Sequence, residues 1–112
     1  MKIATFLQDA RDRIASPDHW CQGDFARDFR GNGTFATNPS ACRWCLLGTL
    51  EKSLHHFGAS YNLLSVARAA LEERLPKTFM TLQHFNDHSE TTHAMVLRVM
   101  DRTIAASVKK YG

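Results

Sequence analysis

The chain carries three cysteines, six histidines and an adjacent Asn86-Asp87 pair, and these are the residues best able to do chemistry. Cys45, His84 and Asp87 are the types needed for a nucleophile, a general base and the carboxylate that orients it, the set of a Cys-dependent hydrolase. A cysteine gains thiolate character in the first turn of a helix, where backbone N–H groups lack partners. The helix bearing this cysteine is expected to begin near residues 39 to 41. Cys45 would then fall in its second turn, beyond most of that help, and Cys42 would hold the better electrostatic position. Trp44, Leu46 and Leu47 flank Cys45 as they would a buried structural thiol.

Metal binding is the second chemistry to weigh. Cys42-x-x-Cys45 has the spacing of a zinc half-site, and Cys21 with His84 could complete a tetrahedral set. Zinc ribbons and fingers carry two such half-sites, and one is visible here. Two cysteines three apart on a helix also simply face the same core. His84, His88 and His93 form a looser alternative. The expectation is a chain that holds no metal and no cofactor, with metal-dependent hydrolysis as the alternative.

The third candidate is a ligand site. Trp20, Gln22, Trp44, Asn86 and Asp87 offer flat apolar walls with a few orienting amide and carboxylate groups, the usual lining of a small-molecule pocket. The competing reading makes Asp87, or Ser89, the N-cap of the last helix.

These residues must be positioned by helices. Ile3, Phe6, Leu7, Ala10 and Ile14 recur at helical spacing and predict an amphipathic helix over 2–15, ended by Ser16-Pro17. Asp24 to Arg30 could make two turns, with Phe25 and Phe29 four apart on one side. Gly31-Asn32-Gly33 signals a turn, and the following TFAT is a short strand or extended loop. A central helix is expected from an Asn38-Pro39 or Ser40 cap to Gly58, with Leu46, Leu47, Leu50, Leu54 and Phe57 as one stripe. Trp44 lies off that stripe, with Gly48 one turn away, where another element could approach closely. Ser60 should cap a third helix carrying Leu63, Leu64, Ala67, Ala70 and Leu71, which Pro76 terminates. Phe79, Leu82 and Phe85 belong to a connecting segment. The last helix presents Val96, Leu97, Met100, Ile104 and Val108, with His93 and Tyr111 in line. The expected fold is therefore all-α: a single helical domain over 1–112, a compact bundle of about four main helices with an irregular glycine-containing segment after the first. A C-terminal stripe that long could remain uncovered and support a homodimer.

Bulk properties narrow the function classes. The net charge of +3 comes from 14 basic and 11 acidic residues. The basic residues form no run longer than Lys109-Lys110, which argues against a nucleic-acid face. No apolar stretch approaches the roughly 20 residues of a membrane span. Gln8, Asp9 and Arg11 interrupt the N-terminal apolar residues before a signal sequence could form. The expectation is a cytoplasmic protein with its odd number of cysteines kept as thiols.

The segments HWCQGDFARDFRG at 19–31, ACRWCLLGTL at 41–50 and FND at 85–87, between amphipathic first and last helices, carry a resemblance. The chain resembles a family of small bacterial and phage proteins known as a domain of unknown function, with a W-C-L-L-G motif at 44–48 and a downstream N-D motif. The resemblance spans nearly the whole chain. Its pattern includes Trp20, Gln22, Gly23, Trp44, Cys45, Gly48, Asn86 and Asp87. Cys21 and Cys42 stand outside it, and His19 replaces the glycine that usually precedes the tryptophan. The resemblance assigns no activity, and the leading expectation is a non-enzymatic accessory protein of a bacterium or phage. It would act by binding a partner protein or a small-molecule or nucleotide ligand, in host takeover or immune evasion. The Cys-dependent or metal-dependent hydrolase is the alternative.

Overall fold

The computed structural model describes residues 1–111. Helix α1 spans Ile3–Arg13 and buries Phe6, Leu7 and Ala10 completely, with Ile14 at its C-cap. That stripe lies against helices α2 (Leu46–Phe57) and α5 (His93–Tyr111), which meet it with Leu46, Leu50, Val96 and Met100. Helix α3, Tyr61–Glu72, adds Ala67 and Leu71 to the same core. These four are the expected main helices. A polar network fixes the register of α1 on α2. The Arg13 guanidinium donates to Asp9 at 2.7 Å and to Ser53 Oγ at 2.8 Å, and Ser53 Oγ donates to Asp9 at 2.7 Å. Burial alone would raise the Asp9 carboxyl, but the hydrogen bonds from Ser53 and Arg13 and the Arg13 charge outweigh it and hold it below the usual value.

The fold departs from all-α in the segment between α1 and α2. Among the described residues there are also a three-stranded antiparallel sheet of order β2-β1-β3 and a short fifth helix. The strands are β1 (Ala26–Arg27), β2 (Gly33–Thr34) and β3 (Arg43–Trp44), with Ala26 paired to both Thr34 and Trp44. Within Asp24–Arg30, residues 26–27 are thus strand and 29–30 a turn where two helical turns were expected. Phe25 and Phe29, the supposed helical pair, are both exposed, and Ala26 is the residue buried between them. The β1–β2 turn is closed by Asp28, whose Oδ1 accepts from the backbone N–H of Arg30 and Asn32. Gly31 sits there at φ 84°, a left-handed conformation that glycine adopts without penalty.

Helix α2 starts at Leu46, several residues later than the expected cap at Asn38-Pro39 or Ser40, because residues 43–44 are taken by β3. Cys45 becomes its N-cap. It has extended backbone, and its Sγ accepts from the Gly48 N–H at 3.2 Å. Gly58 ends the helix in the left-handed region, as expected. Ser60 occupies the N-cap position of α3 without a side-chain cap hydrogen bond.

The connecting segment around Leu82 and Phe85 is itself helical. Helix α4, Leu82–Asp87, is capped by Thr81 Oγ1, which accepts from the His84 N–H. The last helix is capped by neither Asp87 nor Ser89. Thr92 Oγ1 accepts from the Met95 N–H, and α5 begins at His93. The stripe expected to seat a second copy is largely used within the chain. Met100 is fully buried and Leu97 and Ile104 are partly covered, while Val108 and Tyr111 in the last turns are exposed. The uncovered line on which a homodimer through this helix was expected is absent over most of its length. No helix among the described residues is long and apolar enough to cross a membrane.

Candidate functional site

Asn86 is the centre of a cluster of polar residues that includes Trp20, Gln22 and Asp87. It is fully buried, and both ends of its side chain are used. Its Oδ1 accepts from Trp20 Nε1 at 2.8 Å and from the Leu46 N–H at 3.0 Å. Its Nδ2 donates to the Cys21 carbonyl at 3.1 Å and to Asp87 Oδ1 at 2.9 Å. Gln22 Nε2 donates to the carbonyls of Asn86 and His88 at 2.8 and 3.0 Å. Asp87 Oδ1 also accepts from the Gly23 N–H at 2.9 Å, so its partners are Asn86 and Gly23 and not the backbone of the helix that follows. Trp44 stands apart. Its indole N–H donates to the Ala36 carbonyl at 2.9 Å, and the Arg13 guanidinium lies over its ring. Its strand is nonetheless stitched to the same segment, because the Trp44 carbonyl accepts from the Cys21 N–H.

This arrangement accounts for the start of α2. The Leu46 N–H goes to Asn86, the Gly48 N–H to Cys45 Sγ, and the Cys45 N–H to the Phe25 carbonyl at 3.1 Å. A helix N-terminus whose donors are already taken offers little to an anion or a developing oxyanion.

A cleft of about 540 Å³ opens beside this hub. Its apolar surfaces are Phe25 and Phe35, with exposures of 45% and 79%. Asp24 and Asp87 bring carboxylates to its wall, Asn38 and Gln83 bring amides, and Cys45 brings its thiol. The Asp24 carboxylate is paired with Arg27 at 2.9 Å. Asn38 and Gln83 each use their carbonyl oxygen within the protein, Asn38 for Ser40 and Gln83 for Arg68. Their amide N–H groups have no partner among the described residues. Of the five residues expected to bind a ligand, Asp87 lines this cleft; Trp20, Gln22 and Asn86 are tied to it through the hydrogen bonds of Asn86 without lining the cleft, and Trp44 does not line it either. Sequence reasoning missed Phe25 and Phe35 as lining residues. Two aromatics around a turn-rich, glycine-containing segment were the available signal, and their helix-like spacing concealed it.

The chemical alternatives find weaker geometry. Cys45 is buried, and burial pushes its thiol up to about 11 even though the Gly48 and Leu47 N–H groups favour the thiolate. Its Sγ has no histidine partner among the described residues. The His84 ring instead meets Phe79 edge-on at 4.9 Å and His88 at 6.3 Å. Cys21 is also buried, and its thiol is pushed up to about 12 by burial and by the neighbouring Cys45. Cys21, Cys42, Cys45 and His84 do not come together as a ligand set. Among the described residues no three His, Cys, Asp or Glu side chains are grouped so as to hold a metal ion. In the folded protein at neutral pH, iodoacetamide should modify the half-exposed Cys42 well before Cys45, read by mass spectrometry of the two separate tryptic peptides. Faster labelling at Cys45 would mark it as an activated nucleophile.

Residues 1–106 match the model of a family of unknown function, DUF6197. No curated protein and no solved structure matches the chain.

Proposed function

We propose that the chain, which belongs to the DUF6197 family, is a non-enzymatic binding protein that takes a flat, small ring compound into the cleft beside Asp87. The observation that carries this reading is the pairing of two exposed phenylalanines with the unpartnered amide N–H groups of Asn38 and Gln83 and the carboxylate of Asp87. A ring stacked on Phe25 or Phe35 would find both donors and acceptors at its edge, as a nucleobase requires. The cleft is of a size that holds such a ligand. Its wall carries two carboxylates and no lysine or arginine, so it favours a nucleoside over the same compound bearing a phosphate. Catalysis has less support, because the one cleft thiol is buried, protonated at neutral pH and without a histidine. The wider setting, an accessory role in a bacterium or phage, draws its support from the family resemblance.

The test is an amide NMR titration with the four ribonucleosides and their 5′-monophosphates. At least one nucleoside should move the resonances of Gly23, Phe25, Phe35 and Asp87, and its monophosphate should bind more weakly. Phe35→Ala should abolish the response with the melting temperature unchanged, since the ring is 79% exposed. Silence at these amides with all eight compounds would count against the reading. So would tighter binding of the monophosphates as read at these same amides.

A further inference from the structure

A second cavity lies on another part of the surface, between the segment that follows α3 and the first half of α5. It has a volume of about 290 Å³. Its floor is apolar, built from Leu75, Phe85, Met95 and Val99, of which Phe85 is fully buried. Its rim is basic: Arg74, Lys77, Arg98 and Arg102, with no acidic residue among the lining.

Four cations around one small cavity repel one another unless counter-charges are at hand. The acidic groups nearby are committed elsewhere. Glu72 accepts from Arg68 and from the Leu82 N–H, and Asp101 is paired with Arg11 at 2.9 Å. Glu73 pairs with Arg74 at 3.5 Å, and Arg74 also donates to the Ala70 carbonyl. Lys77, Arg98 and Arg102 have no partner among the described residues. Arg98 and Arg102 are one turn apart on α5, so their guanidinium groups rise from the same face.

We propose that this cavity binds a phosphate monoester carried on a short apolar body. Guanidinium groups recognise phosphate through paired, charge-assisted hydrogen bonds, and a dianion answers several cations at once where a carboxylate answers fewer. The Met95, Val99 and Phe85 floor would hold the apolar part. A cavity of this volume accepts roughly one ring or a short chain, not the paired acyl chains of a membrane lipid, which points to a soluble small molecule. The site is separate from the cleft beside Asp87 and does not depend on the function proposed for it.

The experiment is a titration with phenyl phosphate, followed by methyl NMR and thermal melting, with inorganic phosphate and phenol as the two part-ligands. Phenyl phosphate should shift the Met95 and Val99 methyl resonances and raise the melting temperature. Inorganic phosphate should bind more weakly, and phenol should have no measurable effect. The Arg98→Gln/Arg102→Gln variant removes two exposed side chains, so it should fold normally and bind phenyl phosphate about tenfold more weakly or worse. Equal binding of phenyl phosphate and inorganic phosphate would overturn the proposal, since the floor would then play no part. Unchanged affinity in the double variant would overturn it too. So would binding to phosphatidylcholine vesicles containing phosphatidic acid with no response to phenyl phosphate.

Discussion

Gly48→Ala should lower the stability of the protein by about 3 kcal/mol or more, although alanine is the better helix former. In an open helix the same change would stabilise by about 1 kcal/mol. At Gly48, in the first turn of α2, a Cβ would overlap the Phe25 carbonyl oxygen. That oxygen is not free to move. It accepts the Cys45 N–H, and Phe25 adjoins Ala26, which is paired on both sides in the sheet. Relieving the overlap means pulling β1 away from α2. That would break the Phe25–Cys45 hydrogen bond, at about 1–3 kcal/mol for a buried group left unpaired, in addition to the packing loss. Urea unfolding of the two proteins gives the answer directly. An unchanged or higher midpoint for Gly48→Ala would mean that β1 yields at little cost, and the close approach of strand to helix would not be what glycine serves there.

The close approach at Gly48 was legible in the sequence; what approaches it was not. Gly48 near Trp44 marked a helix face on which another element could press, yet the partner is a strand that local periodicity had assigned to a helix. The long helices were readable because their apolar residues repeat with a period near 3.6 and each stripe finds a core. Leu46 through Phe57 and Val96 through Ile104 behave in this way. Residues 24–30 misled because Phe25 and Phe29 imitate a helical pair while their rings face solvent and the cleft. What makes that segment a strand is the pairing of Ala26 with Trp44, a contact between distant residues that local sequence does not encode.

The N-cap of α2 was concealed for a related reason. Serine, threonine, aspartate and asparagine are the usual caps, and Asn38 and Ser40 offered themselves upstream. Residues 43–44 were claimed by the sheet, so the task fell to Cys45. The same event removes Cys45 from a helical turn and makes it a lining group of the cleft. Asp87 misled in the opposite direction. Its type suits a cap, but it ends a six-residue helix too short to show in the pattern, and its carboxylate turns back to Gly23. The family residues Trp20, Gln22, Asn86 and Asp87 do gather as their polar character suggested. They gather on one another, and Asp87 alone of them reaches the cleft, whose surface otherwise falls to residues such as Phe25, Phe35, Asn38 and Gln83.

Asn86→Ala should then be the most damaging polar substitution, at about 4 kcal/mol, because it strands two or more buried groups at about 1–3 kcal/mol each. The Leu46 N–H, the Trp20 indole N–H and the Cys21 carbonyl would all lose their partner, and the cavity left by the amide is too enclosed for easy repair. An isosteric change separates hydrogen bonding from volume. In Asn86→Asp the oxygen that replaces Nδ2 would face the Cys21 carbonyl and the Asp87 carboxylate, both acceptors. As an anion in that position the new group is repelled, and burial adds to the penalty, so its folded pKa must lie above its unfolded one. A carboxyl raised in this way destabilises the fold above its unfolded pKa. The loss is full above the folded pKa and is recovered as pH falls from there to the unfolded pKa, as a proton restores a donor in place of the amide. Asn86→Asp should therefore be unstable near neutral pH and approach the wild type in mild acid, measured as the difference in urea midpoints across that range. A difference that stays constant with pH would show that the Asn86 N–H groups are dispensable. The loss would then belong to the Oδ1 contacts with Trp20 and Leu46, or to packing.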